Sequence, residues 1–410
     1  MRKIYKVSKP LFLPFYNEWC KNKYTQRDAF KYNPFTIDAS STSGSPVMIS
    51  ENLFVGFLNE NGGEFEFDGN GTLTVTIPEG QEIFVSEKGF SAAAEYNEKI
   101  LGDYTSNKNE WYNRIEYCTW VEQKMFTPEG VSPEMALNEK LIIDILDRID
   151  KMKLPRGKFT IDSSWYCATG RGSMGDFEID RARFPNFEGV IQEIKARGHL
   201  PGLWIAPGLI DTSSAYFNMD GLRGFGVWKV GESIDKSKKI VFANIDDIYI
   251  ENYQRILEKY INMGIMKFKA DILYSQKDKM KEVLKAFYNI VKSINPLVEV
   301  ESHIPDVFVS RYCDVVRIND LQVNDENDWA GLCRAHYEVC RLGAPDKVLN
   351  LDHIGGNTIS VTKENYLKHF DILMNMDGYP VVSLLPDNFD SETVDIVRDG
   401  LNKWNKKISV

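Results

Sequence analysis

The chain has 410 residues, 43% of them hydrophobic and 26% charged, with a formal net charge of −10 at pH 7. This composition excludes fibrous and disordered classes and leaves room for one large domain and a smaller one. The acidic balance argues against nucleic acid as a partner, and no run of eighteen apolar residues supplies a membrane span.

Residues 1–110 read as β-rich. Glu64-Phe65-Glu66-Phe67, the turn Asp68-Gly69-Asn70-Gly71 and Thr72-Leu73-Thr74-Val75-Thr76-Ile77 form a hairpin signature. The proline-broken stretch at 10–16 lacks a cleavage site, so no signal peptide is read. The six cysteines, Cys20, Cys118, Cys167, Cys313, Cys333 and Cys340, show no C-x-x-C pair and fit a reducing compartment, with the cytoplasm expected.

From about Trp111 strands alternate with helices, the pattern of a parallel sheet. Strands are expected over 115–120, 158–162, 200–206, 266–271, 297–301, 315–320, 347–352 and 379–385. The first helix is expected to open at Ser132-Pro133-Glu134, a cap followed by a helix-starting proline. Further helices are read over 187–197, 250–263, 280–291, 329–341 and 363–374, and a final one carries Val394, Val397, Leu401 and Trp404. The connection between strands five and six has only a short helix. The expected fold is α/β: a (β/α)8 TIM barrel over 111–410, preceded by a small β-rich N-terminal domain over 1–110.

Barrel active sites lie at the carboxyl ends of strands. Those ends carry Trp120, Asp162, Trp204, Lys269 with Asp271, Glu301 with His303, Arg317 with Asp320, Asp352 with His353, and Asp387. Lys269 and Asp271 share a strand face. An ammonium there is expected to keep the Asp271 carboxylate ionised and fit to act as a nucleophile. Asp320, ending another strand, supplies the second carboxyl that glycoside cleavage uses. Asp352 and Asp387 also suit helix caps. His303 and His353 lack metal-ligand spacing and read as contacts to sugar hydroxyls or as packing; His199, His336 and His369 read as structural. No G-x-S-x-G, P-loop or strand-borne G-x-G-x-x-G is present.

At these residues the chain resembles the retaining α-glycosidase clan of glycoside hydrolase families 27, 31 and 36. It is most similar to divergent family 36 α-galactosidase and raffinose-synthase-like proteins. Cys118-Thr119-Trp120 resembles that branch's first-strand C-T-W, and Ile161-Asp162-Ser163-Ser164-Trp165 its I-D-D-G-W. Gly175-Asp176-Phe177, Arg183-Phe184-Pro185 and Gly202-Leu203-Trp204-Ile205-Ala206-Pro207 follow its G-D-W, K-F-P and G-L-W-I-x-P landmarks. Lys269-Ala270-Asp271 resembles the K-W-D that carries the nucleophile, and Arg317-Ile318-Asn319-Asp320 the segment that carries the acid/base.

The departures are Ser163 for the second aspartate, Ala270 for the K-W-D tryptophan, Ala206 for a glutamate, and Glu301-Ser302-His303-Ile304-Pro305 for a cysteine- and glycine-rich segment. The resemblance implies a C-terminal β-domain and a large N-terminal sandwich; neither is expected in this sequence beyond the small β-rich region at 1–110.

The resemblance implies double displacement on a terminal α-linked hexose, α-galactosidase-like, with Asp271 attacking and Asp320 as acid/base. Asp162 would grip hydroxyls, Lys269 would orient Asp271, and Arg317 would contact a hydroxyl or tune Asp320. Trp120, Trp165 and Trp204 would wall the sugar. The substrate is an oligosaccharide or glycoside, and no cofactor or metal is required. The alternatives are a transglycosidase, an α-glucosidase or α-xylosidase of the same clan, and a carbohydrate-binding barrel without catalysis.

Overall fold

The computed structural model describes residues 1–8, 10–12, 47–59, 62–106, 108–219, 224–228, 240–271, 277–318, 320–326 and 328–408. Cys20, Asn319 and residues 13–16 of the proline-broken stretch lie outside them. Eight parallel strands close into a barrel. They are β1 (Glu116–Cys118), β2 (Lys158–Ile161), β3 (Leu200–Ile205), β4 (Lys267–Ala270), β5 (Glu299–Ser302), β6 (Val315–Arg317), β7 (Val348–His353) and β8 (Tyr379–Val382). Each pairs with its neighbour in chain order, and β8 closes on β1 through Val381↔Glu116 and Val382↔Tyr117.

The outer helices are α1 (Glu139–Met152), α2 (Phe187–Ala196), α3 (Asp247–Met263), α4 (Lys277–Ile294), α5 (Trp329–Gly343), α6 (Lys363–Met374) and α7 (Ser391–Ile408). Their apolar faces explain them: in α1, Leu141, Ile142, Ile145, Leu146 and Ile149 are buried at helical spacing. The expected start of this helix is corrected. Its cap is Asn138, whose side chain accepts from Leu141 N at 2.9 Å. Pro133 opens only the one-turn helix Pro133–Ala136. The first strand also ends two residues early, because Thr119–Met125 turns at once into a helix.

A three-stranded antiparallel sheet (Leu209–Asp211, Gly224–Trp228, Ile240–Ala243) interrupts the β3–α3 connection. Asp176 anchors this connection to the β2 loop, accepting from Gly172 N at 2.8 Å, Ala215 N at 2.7 Å and Tyr216 N at 2.7 Å.

Two small antiparallel sheets precede the barrel. The predicted hairpin pairs Glu64↔Thr76 through Phe67↔Leu73. Gly69 and Gly71 take the left-handed conformation its turn requires. Between β5 and β6 the chain has only the 3-10 turn Ser310–Tyr312. There the N-terminal region substitutes for a barrel helix: Val47, Ile49, Phe54, Phe84 and Tyr96 pack with Val307, Phe308 and Val339. Among the described residues no helix is long and apolar enough to cross a membrane.

Candidate active site

Alternate side chains of each strand point into the barrel, and they stack in tiers. At the bottom Lys158 Nζ meets Glu299 Oε2 at 3.1 Å. Above it Lys267 contacts Glu116 and reaches Glu301 Oε2 at 2.6 Å. The same Glu301 oxygen accepts from Asn350 Nδ2 at 2.8 Å and Tyr379 OH at 3.2 Å. Gly202 makes room for this tier. A Cβ there would lie 2.7 Å from Thr160 Oγ1 and 3.2 Å from Lys267 Cβ. Burial is the largest influence on Glu301 and would raise its pKa, but the cations of Lys267, Lys269 and Arg317 together hold it below the usual range.

The top tier opens into a pocket of ≈ 210 Å³ at the strands' carboxyl ends. Of the sequence-predicted residues, Trp120, Asp162, Trp204, Lys269, Asp271, Arg317, Asp320, Asp352 and His353 line it. Trp165 and His303 do not. Trp165 is fully buried, its ring stacked on Phe177 and Phe187 and its Nε1 donating to Trp204 O at 2.9 Å, so the expectation that it walls the pocket is corrected. His303 is buried behind Asp271, its Nε2 at 3.6 Å from Asp271 Oδ1. Asp387 is remote from the pocket and pairs with Arg148 at 3.1 Å.

Lys269 feels the Asp271 charge, but the carboxylate that acts on it most strongly is Asp162. Its ammonium pairs with Asp162 Oδ2 at 2.7 Å, where Cys118 Sγ also donates at 3.1 Å. Burial opposes the Lys269 charge, yet Asp162 holds its pKa well above the ordinary value. Asp271 is also positioned from three sides. Its backbone N donates to Ile205 O at 2.9 Å, and its Oδ2 accepts from Trp204 Nε1 at 3.0 Å. Its Oδ1 faces Arg317 Nη2 and His303 Nε2, each at 3.6 Å. The β3–β4 register explains the indole contact: Trp204 sits opposite Lys269, two residues before Asp271 on the same face. Burial pushes His303 down to about 4, so its imidazole is neutral at pH 7; burial also takes His353 well below its ordinary value.

Arg317 joins the carboxylates. Beyond Asp271 it contacts Asp320 through Nη1, Asp352 Oδ1 at 3.5 Å through the same nitrogen, and Glu301 Oε1 at 3.8 Å through Nε. Asp320 Oδ2 also accepts from Asn357 Nδ2 at 3.4 Å, and Asn357 Oδ1 accepts from Lys124 Nζ at 2.6 Å. Sequence reasoning missed Glu134 and Asn357 as pocket residues. The Gly355-Gly356-Asn357 turn after β7 was the available signal for Asn357. Glu134 arrives on a one-turn helix that the periodicity of α1 concealed.

A guanidinium bridging two carboxylates, in a pocket sized for a single small polar ligand, can hold a hydroxylated ligand against both carboxylates. No protein-family model matches the chain, and no curated protein matches it in sequence. Solved structures do match its fold. A family 36 α-galactosidase variant from Geobacillus stearothermophilus, bound to 1-deoxygalactonojirimycin, aligns with a TM-score of 0.63 at 13% identity. The alignment covers 100% of this chain and 62% of that one, so the chain spans about three fifths of that enzyme's length. An α-galactosidase from Thermus thermophilus, in complex with p-nitrophenyl α-D-galactopyranoside, aligns with a TM-score of 0.65 at 15% identity over 90% of this chain and 78% of that one. A further Geobacillus stearothermophilus variant, in complex with raffinose, aligns with a TM-score of 0.60 at 12% identity over 90% and 57%. At these identities the likeness is one of fold.

Proposed function

We propose that the chain is a retaining glycosidase for a terminal α-linked hexose, α-galactosidase-like. Asp271 attacks the anomeric carbon, and Asp320 protonates the leaving oxygen and then deprotonates water. The supporting observation is the single Arg317 guanidinium that contacts both carboxylates in one pocket. Asp162, fixed by Lys269, accepts from sugar hydroxyls, while Trp120 and Trp204 line the pocket beside the pyranose. The solved structures of similar fold bind α-galactosides, which agrees with this reading.

Ser163 favours a second reading. It lines the pocket with a neutral hydroxyl where the resembling α-galactosidases carry an aspartate, and this suits an α-glucosidase or α-xylosidase. Aryl α-galactosides, α-glucosides and α-xylosides, followed by proton NMR, separate the readings. One of them is cleaved, the first-formed sugar is the α-anomer, and Asp271→Asn abolishes turnover. A β-anomer as first product would exclude double displacement. Failure on the whole panel, with sugar binding intact, would favour a non-catalytic barrel.

A further inference from the structure

Strand β7 carries one residue more than its neighbour β8. The register steps from Asn350↔Tyr379 to His353↔Val381, so β7 advances three positions while β8 advances two. Such a bulge re-aims side chains and is common beside active sites. Asp352 lies in it with φ 61°, a left-handed conformation that costs a non-glycine residue energy and clusters at functional positions. Asn350 points into the barrel, where its Nδ2 donates to Glu116 and Glu301. Its Oδ1 supports the bulge by accepting from Asp352 N at 2.8 Å. Strict alternation would put Asp352 on the face of Asn350 and His353 on the opposite one. With the bulge, both line the pocket.

Other charged groups of the pocket are already engaged. Asp162 pairs with Lys269, Asp271 accepts from Trp204, Asp320 meets Arg317, and Glu134 accepts from Ser132. Asp352 and His353 differ. Asp352 Oδ1 lies 3.5 Å from Arg317 Nη1, but its Oδ2 and His353 Nδ1 are buried without a hydrogen-bond partner among the described residues. The Asp352 side chain is 5% exposed and His353 is 3% exposed. Among the described residues, no other residue lining the pocket carries such an atom. A buried carboxylate oxygen and a buried ring nitrogen left unpaired at one bulge are destabilising until a ligand pairs them.

We propose that Asp352 and His353 together bind one ring hydroxyl of the substrate, and that this is the hydroxyl by which the pocket selects its sugar. The proposal takes the sugar ligand from the glycosidase reading. A hydroxyl is both donor and acceptor, which suits this pair. Its O–H donates to Asp352 Oδ2, and its oxygen accepts from the Nδ1–H of His353. Burial first, then the cations of Lys269, Lys124 and Arg317, keep that imidazole neutral at pH 7, with one N–H to give. On the β2 side Lys269 already neutralises Asp162, and Ser163 is uncharged, so the unsatisfied acceptor in the pocket is Asp352 Oδ2. A site built around a hydroxyl rejects the analogue that lacks it, because the protein's own polar groups are then left unpaired.

Binding of iminosugars tests the pair without turnover, since these probes have no glycosidic bond to cleave. Iminosugars of galacto, gluco and xylo configuration are titrated calorimetrically into the wild-type protein. The tightest binder is then compared with its analogues lacking one ring hydroxyl each. Removal of one particular hydroxyl should weaken binding at least about tenfold, as expected for a hydrogen bond to a charged partner. The same measurements follow in Asp352→Asn, which tolerates the left-handed backbone, and in His353→Phe, which keeps a planar ring. In both variants the loss at that position should shrink to about threefold or less, while the losses at the other positions stay as in wild type.

No binding of any iminosugar overturns the proposal, as does the absence of a position whose loss depends on both residues. The expected pattern together with no turnover of any aryl glycoside would instead overturn the glycosidase reading and leave the hydroxyl site standing.

Discussion

Trp204 shows how one side chain joins the sheet to the chemistry. It is 3% exposed, its ring stacks on Tyr166 at an interplanar angle of 12°, and its indole N–H ends on Asp271 Oδ2. A hydrogen bond to a charged, partly buried acceptor contributes about 1.5–3 kcal/mol. Trp204→Phe keeps much of the ring packing and removes the donor. Its expected effect is a fall in kcat of about 10- to 100-fold, with KM changing far less, read from initial rates on the responsive aryl glycoside. A change confined to KM would show that the indole only walls the pocket. Lys269 carries the complementary lesson. Two residues from Asp271 and on the same face, it nevertheless spends its charge on Asp162 across the barrel. Spacing along a strand tells which side chains share a face, but the ion pair is decided by neighbours distant in sequence.

At the scale of elements, the eight strand positions and the polar residues that end them were legible because apolar runs stop abruptly on charge. Nine of the predicted residues meet in one pocket for that reason. What stayed hidden depended on contacts no local pattern encodes. Trp165 follows a strand end as Trp120 does, yet Asp180 N donates to its backbone O and its ring stacks on Phe187 of α2, within the core. The inserted sheet after β3 lies in a stretch without periodicity, and Asp176, read as part of a landmark, proves to be its anchor.

The tiers below the site were likewise unread, because Glu116, Lys158, Lys267 and Glu299 look like solvent-facing alternation until the barrel closes around them. Lys267 is the keystone of those tiers, within 3.4 Å or less of Glu116, Glu299 and Glu301. Burial opposes its charge, and the three carboxylates more than offset it. Replacing it by Met strands buried negative charge, a cost of about 3–5 kcal/mol. Urea denaturation of Lys267→Met should show that loss. An unchanged midpoint would mean that the carboxylates take up protons freely and that the network contributes little.

For the whole molecule, buried histidines contribute to the response to acid. Burial holds His199 and His303 down to about 4 and His369 down to about 3, well below the ordinary value near 6.5. Groups depressed on folding bind fewer protons in the native state than in the unfolded chain, so stability falls as pH drops through this window. Each contributes about 1.4 kcal/mol per pH unit between roughly 6.5 and its native value. Asp352 and Glu299, both pushed up to about 7, work in the opposite sense. Their neutral forms stabilise fully below the unfolded carboxyl range, and that contribution is lost as pH rises toward 7. Glu122, also pushed up by burial to about 7, acts in the same sense as these two carboxyls, and His353 in the sense of the histidines.

His369 isolates one of these contributions. It lies outside the pocket, and its Nδ1 accepts from Gly355 N at 3.1 Å, which a glutamine carbonyl can imitate. Between pH 7 and pH 5 wild type should lose about 2 kcal/mol more unfolding free energy than His369→Gln, measured by urea denaturation at the two pH values. Parallel losses in the two proteins would show that His369 takes up its proton in the native state, and that the barrel wall around it opens to water well before it unfolds.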